Sequence, residues 1–141
     1  MSLYIDTSSF VRLLEEQSES AAVAEVLESE TEVFVSDLVE LETICHLSAL
    51  RFGGSLSGGE FLKRVQMINQ LLGTEPFVRR TTSDEAVKEA TRQAVTSRVH
   101  CRSLDRLHLG AMVEFGASRL LTYDKQQARA AEELGFKVNL L

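Results

Sequence analysis

The chain has 141 residues with 21 acidic and 15 basic side chains, a net charge of −6, 44% apolar residues and 26% charged ones. That length suits one compact domain over residues 1–141, and the balance of residue types excludes disordered, collagen-like and coiled-coil chains. No run of about 18 apolar residues occurs and no basic stretch with an apolar core opens the chain, so neither a membrane span nor a secretory leader is expected and a cytoplasmic location is.

Leu3-Tyr4-Ile5 is a short apolar run that ends in Asp6-Thr7-Ser8-Ser9, after which Phe10, Val11, Leu13 and Leu14 recur at helical spacing. A strand followed by a helix is the reading. A second helix fits Ala21 to Glu28, and Val33-Phe34-Val35 reads as a buried strand ending at Ser36, followed by a helix over Asp37 to Phe52. The connector from Gly53 to Gly59 lacks the Lys-Ser/Thr of a phosphate-binding loop and reads as a mobile link. Ser57 with Glu60 has capping-box spacing at the head of the next helix.

Pro76, the only proline, lies in a stretch from Glu75 to Arg79 that suits an edge strand. Thr82 with Glu85 has capping-box spacing for a helix reaching about Ser97, and another helix fits Leu104 to Phe115. Leu104, Leu107, His108, Ala111, Met112 and Phe115 form the apolar stripe of that helix, and Gly116 is its stop. Arg119 to Thr122 is a strand, Lys125 to Leu134 a helix capped by Gly135, and Lys137 to Asn139 a last strand.

Strands alternating with helices indicate an α/β fold in three layers, α/β/α, around a mostly parallel sheet. In such sheets ligands gather beyond the carboxyl ends of the strands. Asp6, Ser36 and Asp124 all stand there. Cys45 and Cys101 have neither CxxC nor metal-finger spacing and read as unbridged thiols. Charge is divided unevenly: residues 1–42 hold eleven acids and one base, the remainder ten acids and fourteen bases. Any nucleic-acid contact is therefore local, and the acidic N-terminal part suits a metal ion or a basic partner.

Asp6 and Asp124 each follow a strand and precede a helix, where aspartate also serves as a cap; Asp124 with Gln127 has the spacing of a capping pair. Asp105 falls in a first helical turn, on the side of His108 and Met112, close to apolar neighbours where a carboxylate needs a partner. Glu42 borders the apolar stripe of its helix and Glu40 points nearer Ile44 and Leu47; periodicity does not choose between them, and an arginine salt bridge is an open alternative for either. Carboxylates gathered at one sheet edge repel unless a cation neutralises them. Mg²⁺ or Mn²⁺ does this with oxygen ligands while activating water against a phosphate, which is the chemistry of phosphodiester hydrolysis.

These residues together resemble the PIN domain family, and within it the VapC-like toxin ribonucleases. Tyr4-Ile5-Asp6-Thr7-Ser8 is similar to the family's opening strand with its first aspartate, and Val35-Ser36 followed by Glu42 is similar to its serine-capped helix. Ser103-Leu104-Asp105-Arg106-Leu107-His108-Leu109-Gly110-Ala111 resembles the family's most specific segment, and Leu120 to Lys125 with Ala130 to Gly135 its closing motif. The resemblance selects Glu42 over Glu40. It implies a metal-dependent endoribonuclease in which Asp6, Glu42, Asp105 and Asp124 are catalytic and hold Mg²⁺ or Mn²⁺. Gln127, where an apolar residue is common, and the glycine-rich connector depart from the pattern.

Thr7, Ser8 and Thr122 are candidates to orient the carboxylates or bound waters, and equally candidates for helix caps. His108 reads as structural rather than as a base. Arg98, His100, Arg102 and Arg106 cluster before and beside Asp105, as RNA-phosphate contacts or as a solvated basic face. The resemblance further implies single-stranded or looped RNA, such as tRNA or rRNA, as substrate, a homodimer, and a small antitoxin protein; Phe10, Val11, Leu13 and Leu14 offer apolar surface for either interface if the core does not take them. A non-catalytic PIN-like binding module, or a PIN nuclease of RNA processing without an antitoxin, are the alternatives. A phosphotransfer receiver lacks its acidic pair here, and a haloacid-type phosphatase would need an acid where Ser8 stands.

Overall fold

A computed structural model describes residues 2–15 and 18–141. Twelve elements alternate along the described chain: β1 (Leu3–Ile5), α1 (Thr7–Leu14), α2 (Ser18–Glu28), β2 (Val33–Ser36), α3 (Asp37–Phe52), α4 (Gly58–Leu72), β3 (Phe77–Arg80), α5 (Asp84–Thr96), α6 (Ser103–Phe115), β4 (Arg119–Thr122), α7 (Lys125–Glu133) and β5 (Lys137–Leu140).

The strands form one five-stranded sheet in the order β3-β2-β1-β4-β5, parallel throughout. Leu3 is in register with Val33 and Arg119, Ser36 with Arg80, and Thr122 with Leu140. Leu3, Tyr4, Ile5, Val33, Val35, Leu120 and Leu121 are wholly buried, the burial of both sheet faces that parallel strands require. The chain steps one way across the sheet from β1 to β3 and the other way from β3 to β5, so right-handed crossovers put α1–α4 on one face and α5–α7 on the other. Packing agrees: α1 lies against α2 and α3, α3 against α4, and α5 against α6. The strand order reverses between β1 and β4, which opens the crevice where ligands bind in such folds.

Most helix starts follow the local chemistry. Asp6 caps α1, Ser36 caps α3, Asp124 caps α7, and Ser57 with Glu60 forms a reciprocal capping box on α4. Helix α5 differs from the expectation: Ser83, not Thr82, is its cap, because Thr82 gives both its N–H and its hydroxyl to Asp37 Oδ1, at 3.0 and 2.7 Å. The edge strand also starts later than expected, at Phe77; Pro76 stays outside it and only lends its carbonyl to Val33.

Two glycines carry specific demands. Gly116 ends α6 in the left-handed region at φ 72°. Within α6, a Cβ on Gly110 would come within 2.3 Å of the Ala86 carbonyl oxygen and 3.1 Å of Ala90, so this residue sets how closely α5 and α6 approach. Leu104, expected on the buried stripe, is half exposed because it lies at the open first turn of α6. Phe10 is in the core, whereas Leu13 and Leu14 line a groove of ≈730 Å³ against α4, away from the acids.

Candidate active site

The loops after β1 and β4 flank the crevice, and one hydroxyl joins them. Thr122 Oγ1 donates to Asp6 Oδ2 and accepts the N–H of Asp124 at 2.9 Å. Ser8 completes the link, donating to Asp6 Oδ1 at 2.7 Å and accepting the Tyr123 N–H at 3.0 Å. The Ser9 N–H also caps Asp6 Oδ1, so this carboxylate is at once the α1 cap and part of the site. Burial pushes the Asp6 carboxyl above its usual range, against the pull of the bonds from Thr122, Ser8 and Ser9.

Glu42 enters from α3. Thr7 Oγ1 donates to its Oε1 at 3.0 Å, and His108 Nε2 contacts the same oxygen. Burial alone would raise this carboxyl, but the bond and charge of His108, the Thr7 hydroxyl and the Arg102 guanidinium together hold it below its usual range. Behind Glu42 runs a buried chain of hydrogen bonds: His108 Nδ1 is 2.6 Å from the Tyr4 hydroxyl, which is 2.7 Å from Ser36 Oγ. Desolvation keeps the Tyr4 phenol protonated. Glu40 stands elsewhere, paired with Arg79.

Asp105 lies in the first turn of α6, its Oδ2 held by Arg102 Nε at 3.0 Å. Arg102 is 80% exposed, and its positive charge is favoured by Asp105 first and then by Asp124 and Glu42. A cleft of ≈320 Å³ opens here between Glu42, Arg102, Ser103, Leu104 and Asp105. Asp124 Oδ1 accepts the N–H groups of Gln126 and Gln127. Gln127 does not return the cap: its amide turns inward and donates to the Asp105 carbonyl at 3.0 Å, tying the start of α7 to the start of α6.

Among the described residues, no three Asp, Glu, His or Cys side chains stand close enough to hold one metal ion together. The donor chemistry nevertheless fits a hard divalent cation. Glu42 Oε2, Asp105 Oδ1 and Asp124 Oδ2 make no hydrogen bond among the described residues, and Arg102 occupies only the other oxygen of Asp105.

The basic cluster is only partly available. Arg98, His100 and Arg102 are exposed. Arg106 is not: it is 5% exposed and donates from Nη2 to the Val99 carbonyl at 2.8 Å. The segment before α6 folds back over it, held by Glu133 on the Ser97 hydroxyl and Arg98 N–H and by Gln126 on the His100 carbonyl. Arg106 therefore cannot make the RNA-phosphate contact expected of it. Two further residues belong to this arrangement: Tyr4, signalled in the sequence by a hydroxyl inside an apolar strand, and Tyr123, by adjoining Asp124.

A family model described as PIN domain matches residues 3–133. No curated protein matches the sequence. Among solved structures, the Mycobacterium tuberculosis toxin VapC20, described as Sarcin-Ricin loop cleaving, has a TM-score of 0.69 at 14% identity over 95% of each chain. FitAcB from Neisseria gonorrhoeae has a TM-score of 0.68 at 16% identity, covering 96% of this chain and 95% of that one. FitAB bound to the IR36 DNA fragment contains a chain with a TM-score of 0.73 at 15% identity, covering 98% and 94%. At these identities the likeness establishes the fold. No helix among the described residues is long and apolar enough to cross a membrane.

Proposed function

The chain belongs to the PIN domain family, and on that premise we propose that it is a metal-dependent endoribonuclease and the toxin of a toxin–antitoxin pair. One observation carries the reading: Glu42 from α3 and Asp105 from α6 line one cleft at the sheet edge, with Arg102 bonded to Asp105 at 3.0 Å between them and Asp124 close enough to favour its charge. A divalent ion there would supply charge neutralisation at the phosphate and a more acidic water nucleophile. Glu42, Asp105 and Asp124 would hold it, with Asp6 oriented beside them by Ser8 and Thr122. Thr7 and His108 fix the rotamer of Glu42, and Arg102, once released from Asp105, is placed to meet an RNA phosphate.

RNA as substrate is favoured by the description of VapC20 as a toxin that cleaves the Sarcin-Ricin loop, and an antitoxin partner and a homodimer belong to the same proposal. The second reading, a non-catalytic binding module, is favoured by the absence of a three-ligand metal cluster among the described residues. Incubation with tRNA and rRNA in Mg²⁺, Mn²⁺ or EDTA decides between them. Cleavage only with a divalent ion, lost in Asp6→Asn and Asp105→Asn, is the expected result; no cleavage, or cleavage retained in both variants, overturns the nuclease reading.

A further inference from the structure

Arg12 is the one base among the first 42 residues, and it stands in the last turn of α1. Its guanidinium carbon lies 4.1 Å from the centre of the Tyr123 ring, and Nη1 donates to the Ser8 carbonyl at 2.8 Å. The side chains beside it are those of the acidic site, since Ser8 bonds Asp6 and Tyr123 precedes Asp124. A cation in such surroundings ordinarily closes onto a carboxylate, yet Arg12 makes no ion pair with any described residue.

The ring that carries it is fixed at both ends. Ser8 Oγ holds the Tyr123 N–H, and the Tyr123 hydroxyl donates to the Glu19 carbonyl at 3.2 Å. A guanidinium has five N–H donors in a rigid plane, of which the Ser8 carbonyl takes one. The partly buried residue thus keeps a stacked, preorganised donor edge with no acceptor on the described chain. Phosphate matches such an edge in charge and in planar, bidentate geometry.

Helix α1 lies on the opposite sheet face from α6, so Arg12 and Arg102 flank the acidic edge from its two sides. We propose that Arg12, shelved on Tyr123, is a phosphate-binding subsite for the RNA strand. It takes a phosphate beside the one over the acids, on the side away from Arg102. The proposal rests on the nuclease reading and adds to it a second anchor that sets the path of the strand.

Steady-state cleavage of a single-stranded RNA in Mn²⁺ tests this with Arg12→Gln and Arg12→Lys, alongside melting temperatures. Loss of one charged phosphate contact is expected to raise KM about tenfold and lower the salt slope by about 0.7, with kcat within about twofold. The melting temperature stays near that of the unaltered protein, and Arg12→Lys recovers the salt slope with part of the KM. An unchanged KM and slope in Arg12→Gln, or a loss of kcat that follows a fall in melting temperature, assigns Arg12 to the fold or to a protein contact and overturns the subsite alone. No cleavage by the unaltered protein overturns the subsite together with the reading beneath it.

Discussion

The hydroxyl of Tyr4, in the middle of β1, lies 2.6 Å from Nδ1 of His108, whose other ring nitrogen contacts Glu42. This places a polar chain inside the sheet's apolar core and ends it on a carboxylate of the site. The ring cannot turn without breaking one of the two contacts, so Tyr4 fixes the face that His108 presents to Glu42. Such orienting bonds behind a ligand commonly affect metal affinity as much as stability.

Tyr4→Phe removes the hydroxyl and leaves both His108 Nδ1 and Ser36 Oγ without it. A loss of about 1–3 kcal/mol in stability follows from unsatisfied buried polar groups. The His108 ring also loses one of its two anchors, leaving Glu42 held by Thr7 and a looser ring, so Mn²⁺ affinity is expected to fall several-fold in protein that is still folded. Urea unfolding and metal titration of the same samples check this; unchanged affinity would reduce the chain to a packing feature.

Asp6 is expected to limit stability near neutral pH. Its folded carboxyl holds a proton more tightly than it would in the unfolded chain, because it is buried. Ionisation therefore costs folding energy as pH rises above the ordinary aspartate range, about 3.9, and the full cost is present above the raised folded value. Asp6→Asn keeps an oxygen for the Ser9 N–H and lacks that cost. In EDTA it should melt a few degrees above the unaltered protein at pH 7, with the gap closing below about pH 4. A variant that melts lower at pH 7 would show that the Thr122 and Ser8 bonds outweigh burial.

How much of this was legible beforehand depended on the range of the interaction. The bounds of α3 and β4 follow from local pattern, since Ser36 and Gly53 bracket one and Ser118 and Tyr123 the other. The cap of α5 was not so legible: Thr82 and Ser83 are both competent, and a remote residue, Asp37, takes Thr82 away. Arg106 looked like a surface cation because local sequence does not reveal that the 97–102 segment folds back and gives it the Val99 carbonyl. Asp6, Asp105 and Asp124 stood out because each follows a strand or opens a helix, whereas Glu42, in the second turn of α3, was separated from Glu40 only by the family resemblance. Tyr4 and His108 meet across 104 positions, which no local period encodes.

Gly110 tests the packing of α5 on α6. Alanine is the better helix former by roughly 1 kcal/mol, yet its Cβ would meet the Ala86 carbonyl at 2.3 Å. Backbone on both sides leaves no side chain to yield. Gly110→Ala should lose about 1–3 kcal/mol net in thermal or urea unfolding; equal or greater stability would mean that the helices part freely.

Arg102 should show opposite effects on two ligands. Its ion pair with Asp105 is open to water on the arginine's side and adds little to stability. Arg102→Gln frees the carboxylate, so Mn²⁺ is expected to bind a few-fold tighter, while RNA loses a phosphate contact and its KM rises. Titrations with metal and with RNA check the two signs; a parallel loss of both would indicate that Arg102 supports the shape of the cleft.

The central claim is that carboxylates from separate segments form one metal site, and it is tested most directly by electron paramagnetic resonance of free Mn²⁺. The measurement compares the unaltered protein with Asp105→Asn and needs no assumption about substrate. Specific loss of the free-ion signal with the unaltered protein, and its return in the variant at equal folded content, is the predicted result. No binding at millimolar Mn²⁺, or equal binding by both proteins, would contradict it.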